Sequence, residues 1–264
     1  MKKKLIFLYL LSFVSLSIQA QEISGVVYPN KELDLALGVN GTIAQVEVKE
    51  GENVSIGQLL LVLDNSIQTL EKNRRYLMWK DDSERETLQQ RLNILNKKWL
   101  VLQELYKTAG SISKDELDNL KLDILQTQGR IDQLRMQKKI AKVEYNISEQ
   151  EIKQRKLTAP ISGRVTKIHL KKGEWAQIGE PIMTIVDTKT LSLKFNVTSQ
   201  VISDLALGQE LSVKVNKQKP VTGKLNFISS VADPASGLVE IKVLVKNDKI
   251  DRYIRPGTKV KLIL

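Results

Sequence analysis

The chain has 264 residues, 42% of them hydrophobic and 27% charged, enough for a globular protein with one or two modest cores. Its 5% aromatic content excludes a large stacking surface for bases, and the absence of cysteine excludes disulfides, thiolate metal sites, cysteine nucleophiles and a lipoprotein-type anchor. The net charge of +11 suits nucleic acid, anionic lipid or acidic proteins, but the basic residues are spread out as solvated helix faces would spread them.

Residues 1–20 read as a secretion signal, which makes nucleic acid the least expected partner. Lys2, Lys3 and Lys4 form a basic start, Leu5 to Ile18 an apolar run, and Ile18-Gln19-Ala20 a cleavage site before Gln21. The run of about 14 residues is short of the roughly 20 that a spanning helix needs, so a removable signal is expected, with an uncleaved anchor as the alternative. Removing the three lysines brings the charge to roughly +8. No later stretch is long and apolar enough to span a bilayer.

Within residues 21–40, Leu33, Leu35 and Leu37 alternate, and this N-terminal strand is expected to join a β-barrel built by the C-terminal third. An internal repeat follows. Its first copy, residues 41–64, runs Gly41-Thr-Ile-Ala-Gln-Val-Glu-Val-Lys-Glu-Gly51-Glu-Asn-Val-Ser-Ile-Gly57 and on through Leu59–Leu63 to Asp64. Its second copy, within residues 158–188, runs Gly163-Arg-Val-Thr-Lys-Ile-His-Leu-Lys-Lys-Gly173-Glu-Trp-Ala-Gln-Ile-Gly179 and on through Ile182–Val186 to Asp187. Ile43, Val46, Val48, Val54 and Ile56 match Val165, Ile168, Leu170, Ala176 and Ile178, and Glu52 matches Glu174. Each copy reads as short strands around a tight glycine turn, with an apolar face too small to bury alone. The two copies are expected to meet as one small sandwich.

Residues 65–157 explain how they can meet. From Ser66 to Tyr106 there is no glycine or proline, and Leu88, Leu92, Leu95, Trp99, Leu102 and Tyr106 step by four and three, a coiled-coil seam on one long helix. Gly110 suits a left-handed helix end, and Ser113-Lys-Asp-Glu116 reads as a capping box. The second helix carries the seam Leu117, Leu120, Ile124, Thr127, Ile131, Leu134, Lys138, Ala141, Tyr145, Ser148 and Ile152, closed by Ala159-Pro160. Two helices of about 40 residues would form an antiparallel hairpin of about 60 Å, returning the chain to where it left. The polar Lys138 and Ser148 are expected to weaken the seam while fixing its register.

Residues 189–264 show period-two alternation at Leu191 to Val197, Leu211 to Val215, Val239 to Val245 and Val260 to Leu264, with a short helix from Ser199 to Leu207 that Gly208 stops and a turn at Pro256-Gly257. The expected fold class is therefore α+β and elongated: a split lipoyl-like domain with an inserted antiparallel α-helical hairpin, plus a small antiparallel β-barrel.

The order of half-repeat, hairpin, half-repeat and barrel resembles the HlyD-type membrane fusion proteins, or periplasmic adaptors. The resemblance rests on Gly41 through Asp64, the Leu157-Thr-Ala-Pro160-Ile-Ser-Gly163 run, Ile112 through Asp118 and Arg255-Pro256-Gly257-Thr-Lys-Val260. It implies a barrel-sandwich hybrid domain, a ring of copies (a hexamer or a trimer of dimers), an inner-membrane transporter of ABC or RND type and a TolC-like outer-membrane channel as partners. It further implies a periplasmic location with peripheral membrane contact, and efflux or export as the role. The hairpin tip, Leu105 through Leu117, is expected to dock the channel through Leu105, Gly110, Ser113 and Leu117, and Glu52 and Glu174 to line a central opening. Many such adaptors carry an arginine ahead of the tip leucine and serine; here none lies in the preceding turns, and Lys97 and Lys98 have the wrong spacing. The end at Leu264, directly after the barrel, leads us to expect no membrane-proximal domain.

Three other readings compete. The half-repeats also resemble lipoyl and biotinyl carrier domains, but the hairpin occupies the turn where a carrier presents its lysine. Against an enzyme, the single histidine, His169, reads as a strand surface residue, Asp81, Asp82 and Glu84 as a solvated helix face, and Met78, Met136 and Met183 as scattered; no cofactor or metal is expected. A secreted structural coiled-coil protein without a transport role is the remaining alternative.

Overall fold

The computed structural model describes residues 22–215, 220–247 and 254–264, so the secretion signal read in residues 1–20 lies outside the described residues. The described residues divide into two units, one from 22–33 together with those from 185 onward, the other 34–184.

In the first unit six strands close a barrel: β1 (Glu22–Pro29), β10 (Thr190–Val197), β13 (Val239–Lys246), β12 (Val221–Ala232), β11 (Glu210–Val215) and β14 (Lys259–Ile263), in that order. Every neighbouring pair is antiparallel, and closure leaves no open edge. Alternate residues point inward, so Leu191, Leu193, Phe195 and Val197 meet Ile241, Val243 and Val245 in one buried core with Val213, Val260 and Leu262. β1 crosses Phe195 so closely that a Cβ on Gly25 would lie 2.3 Å from that ring, which only glycine permits.

Two expectations are corrected here. The strand that enters the barrel is β1, whereas Leu33 and Leu35 belong to β2 (Glu32–Leu35), which lies in a different sheet. The alternation of β1 is hidden because Gly25 takes an inward position while Val26 and Tyr28 face outward. The segment from Ser199 to Leu207 is helical only over α4 (Ser199–Ile202), with Gly208 at φ 91° in the turn that follows.

In the second unit two four-stranded sheets face the hybrid core, in the orders β2-β9-β7-β4 and β6-β5-β3-β8. The first half-repeat gives β3 (Gly41–Val46), β4 (Asn53–Val54) and β5 (Leu59–Leu63). The second gives β7 (Gly163–Ile168), β8 (Trp175–Ala176) and β9 (Met183–Val186), and β6 (Lys156–Thr158) precedes it. Each half lends a strand to the other: β3 pairs β8 through Gly41↔Ala176, and β7 pairs β4 through Gly163↔Val54. Hydrogen bonds repeat the exchange. The Gly51 N–H donates to the Val165 carbonyl at 2.7 Å, and its counterpart, the Gly173 N–H, donates to Ile43 at 2.9 Å. Ile43, Val48, Val54, Leu60, Val165, Ala176, Ile182 and Ile185 are all buried, the shared interior that neither half could make alone.

Candidate functional site

The hairpin leaves the hybrid at Asp64 and returns at Arg155. At this root the Leu63 N–H donates to the Arg155 carbonyl, and the Arg155 guanidinium donates back to the Asp64 carbonyl at 2.9 Å. The turn that a carrier domain would need for its lysine is therefore absent, since β5 runs through two residues into α1 (Ser66–Lys80).

The first arm is two helices, not one: α1, then α2 (Ser83–Ala109), separated by Asp81 and Asp82. Asp81 is extended, with ψ 125°, and its carboxylate accepts from the Ser83 N–H and hydroxyl, as Asp64 does from Ser66 at the start of α1. The return arm, α3 (Lys114–Gln154), is continuous over 41 residues, about 60 Å. Each of the eleven expected α3 seam residues, Leu117 to Ile152, is buried or half-buried. Polar seam members are satisfied locally: Ser148, fully buried, donates to Tyr145, and Thr127 to Asp123.

The break has a cause in the first arm's spacing. Half-buried residues of α1 fall at Gln68, Glu71, Lys72, Arg75 and Trp79, and those of α2 at Arg85, Leu88, Gln89, Leu95, Trp99, Leu102 and Gln103 around buried Leu92. Continued by threes and fours, the α1 frame would reach Glu86 and Asn93, which are exposed, whereas the α2 face runs through Arg85, Leu88 and Leu92 with Gln89 at its flank. The α2 frame is therefore set back by about one residue, about 100° around a helix. Two non-helical residues absorb that rotation. Asp81 and Asp82 thus form a helix junction and not a solvated helix face, while Glu84 lies exposed on α2: Asp82 is bound by Arg85, and by Lys138 of the seam at 3.0 Å. These two cations hold its carboxyl far below the usual carboxylate range, Arg85 contributing more. Beyond Leu102 the seam opens, and Tyr106 is exposed.

At the tip Gly110 ends α2 with φ 58°, and the Ser113 side chain accepts from the Glu116 N–H at 3.1 Å. The reciprocal bond from Glu116, expected of a full capping box, is not formed among the described residues. Of the four tip residues proposed for docking, Leu105, Gly110 and Ser113 are exposed. Leu117 is 7% exposed and is corrected to an interior residue of the hairpin, because it is the first seam position of α3.

Glu52 and Glu174 are exposed, but their carboxylates turn back on their own turns, accepting from the Lys49 N–H at 2.9 Å and the Lys171 N–H at 2.8 Å. Gln58 and Gln209 do the same for Ser55 and Ala206, each beside a glycine with positive φ. The matched glutamates are turn-closing residues, which argues against a free pore-lining charge.

The sequence missed one constellation. His169 Nε2 lies 3.2 Å from the Thr184 hydroxyl, which donates to Asp34 at 2.7 Å. Because the threonine proton goes to the aspartate, the histidine is the donor of its own contact and takes no proton from Thr184. The order is wrong for activating a nucleophile, and Thr184 is buried. No group of three or more metal-ligating side chains occurs among the described residues.

Comparison with known proteins agrees with this geometry. The family model described as the barrel-sandwich hybrid domain of RND membrane fusion proteins matches residues 32–188. The chain is 24% identical over 250 residues to the multidrug resistance protein MdtA of Pectobacterium atrosepticum, covering 90% of this chain and 56% of that protein. It is 24% identical over 188 residues to the macrolide export protein MacA of Escherichia coli O157:H7, covering 68% and 49%. The chain thus spans about half the length of the curated relatives it matches. The crystal structure of MacA from Actinobacillus actinomycetemcomitans superposes with a TM-score of 0.76 at 19% identity, over 93% of this chain and 78% of that one, a likeness of fold.

Proposed function

Since the chain belongs to the RND membrane fusion protein family, we propose that it is a periplasmic adaptor, joining an inner-membrane transporter to a TolC-like outer-membrane channel for efflux or export. The observation that carries the reading is the pinned root: two interlocked half-repeats project a hairpin of about 60 Å, a reach suited to a distant partner. The names of the relatives, a multidrug resistance protein and a macrolide export protein, support efflux as the setting. The role is one of connection and not of catalysis. The tip presents Leu105, Gly110 and Ser113 to the channel, and the copies assemble as a homo-oligomer, a hexamer or a trimer of dimers.

A surface for that assembly is available. On the back of α3, away from the seam, Leu122, Leu125, Met136, Ile140, Val143 and Ile147 are each about half exposed. On the opposite flank of the hairpin Ile67, Leu70, Leu77, Ile94 and Val101 are exposed too. Two apolar flanks on opposite sides suit a head-to-tail contact, the type that closes rings.

The test is in-cell photocrosslinking from Leu105 and Ser113, with the captured proteins identified by mass spectrometry. Recovery of an outer-membrane channel is expected, with a transporter recovered from other positions. Recovery of neither would leave the secreted structural protein as the better reading.

A further inference from the structure

Both arms of the hairpin are weakest within one short section. In the first arm the helix is interrupted at Asp81–Asp82, opposite Lys138. In the return arm the one glycine of α3, Gly129, lies nine residues from Lys138 towards the tip, about 13 Å. A glycine inside a helix costs about 1 kcal/mol relative to alanine. Nothing in the packing calls for it, since a Cβ there would meet no atom within 4 Å. The section is also incompletely packed, with an open cleft of about 400 Å³ lined by Met78, Asp82, Arg85, Leu134 and Lys138 among others.

The same section holds the ionic links between the arms. Among the described residues the salt bridges that cross from one arm to the other are Lys138–Asp82 at 3.0 Å and Arg130–Glu84 at 2.7 Å. The other salt bridges of the hairpin stay within one arm, as in Arg74–Glu71 and Arg135–Asp132. Apolar seam contacts and the stacked Trp79–Tyr145 pair, with ring centroids 5.3 Å apart, hold the root side of the section. Buried Leu92, Leu120 and Thr127 hold the tip side. Partly exposed charges, unlike packed leucines, can part and re-form without leaving a cavity.

We infer that the hairpin has a bending joint here: α2 and the α3 segment before Gly129 swing as one piece against the root half, and the Asp82–Lys138 and Glu84–Arg130 bridges latch the joint in the conformation described. The joint lets the tip change direction while the hybrid stays fixed. This inference goes beyond the adaptor reading and stands or falls separately from it, because it concerns motion within one chain.

The absence of cysteine makes the test direct. Spin labels at Asp118→Cys and Gln150→Cys sit on the exposed outer side of α3, 32 residues and about 48 Å apart. With a lever of one helix diameter, about 10 Å, a bend of about 30° moves them together or apart by about 5 Å. Pulsed electron paramagnetic resonance on the full chain should give a narrow distance distribution at about 0.01 M salt, and a broad one at about 1 M, where the Debye length falls from roughly 30 to 3 Å. Asp82→Asn and Lys138→Gln should each broaden it at low salt by about that 5 Å, and Gly129→Ala should narrow it again in either background. Equal widths in the parent and both latch variants would overturn the joint, as would broadening that Gly129→Ala leaves in place. Helix content, read by circular dichroism, must be kept; should Asp82→Asn lose it, Lys138→Gln and the salt series still decide.

Discussion

Ile43→Ala would test whether the two half-repeats stabilise one interior. Ile43 is 1% exposed, and both of its backbone groups bond to the second copy: its N–H to Glu174 and its carbonyl from Gly173, each at 2.9 Å. The substitution keeps those bonds and removes three carbons, about 2.4 kcal/mol of transfer energy at roughly 0.8 per methylene. The void left behind raises the loss to about 3–4 kcal/mol, within the range for large-to-small changes in packed cores. That is a sizeable part of the 5–15 kcal/mol or so that a domain has. Amide exchange resolves the claim by position. Protection should fall at Gly173 and Val165, more than 100 residues away in sequence, as much as at Gly51. A loss confined to residues 41–64, with the second copy as protected as before, would refute the shared interior and the fold reading built on it.

At the tip, Ser113→Asp keeps a good N-cap, whereas Ser113→Ala removes one worth about 1 kcal/mol. If the hydroxyl docks a partner, the aspartate variant should lose export and tip crosslinks while melting at the parent temperature, and Leu105→Asp should do the same. Replacing Met136, Ile140 and Val143 by Gln, a good helix former, should leave helix content unchanged and lower the oligomeric state seen by sedimentation; unchanged association would exclude that flank as the contact. The Glu71 carboxyl is held down to about 2 from 4.5, first by its hydrogen bond to Arg74 and then by that to Arg75. A depressed acid contributes its stabilisation in full above 4.5 and loses it as pH falls from 4.5 through about 2. A carboxyl titration followed by NMR should therefore place Glu71 well below the exposed Glu residues; an ordinary midpoint would mean that the pair does not form in solution.

What the sequence revealed follows from what its periodicities encode. The α3 seam was legible to the residue because one unbroken heptad frame runs from Leu117 to Ile152. The interlocked half-repeats were legible because two sets of glycines and apolar residues share one spacing. The break in the first arm went unread. Its seam before Leu88 is polar, and only Trp79 marks it as a core position, so the one-residue change of frame is invisible to a search for leucines. The Asp-x-Ser start that opens α1 at Asp64 recurs at Asp81, and this was the available signal. β12 was missed because bulges at Leu225/Phe227 and Ile228/Ala232 interrupt its alternation. At the candidate site, exposure separated Leu105 and Ser113 from Leu117, and side-chain direction revealed the turn-closing role of Glu52 and Glu174. Neither is written in spacing alone.

The strand exchange between β3 and β8 also fixes an order of assembly. β3 can pair with β5 inside residues 41–64, but its other edge and β4 have no partner until β7 and β8 have been made, and joining ends separated by about 100 flexible residues costs about 4 kcal/mol in loop entropy. The intervening helices make mostly local contacts, which form quickly. Once they zip together, Asp64 and Arg155 are already neighbours, and the remaining closure spans only a handful of residues. The rod thus acts as a folding template for the domain at its base, and a lesion in the middle of α3 should slow the appearance of β-structure some tens of ångströms away.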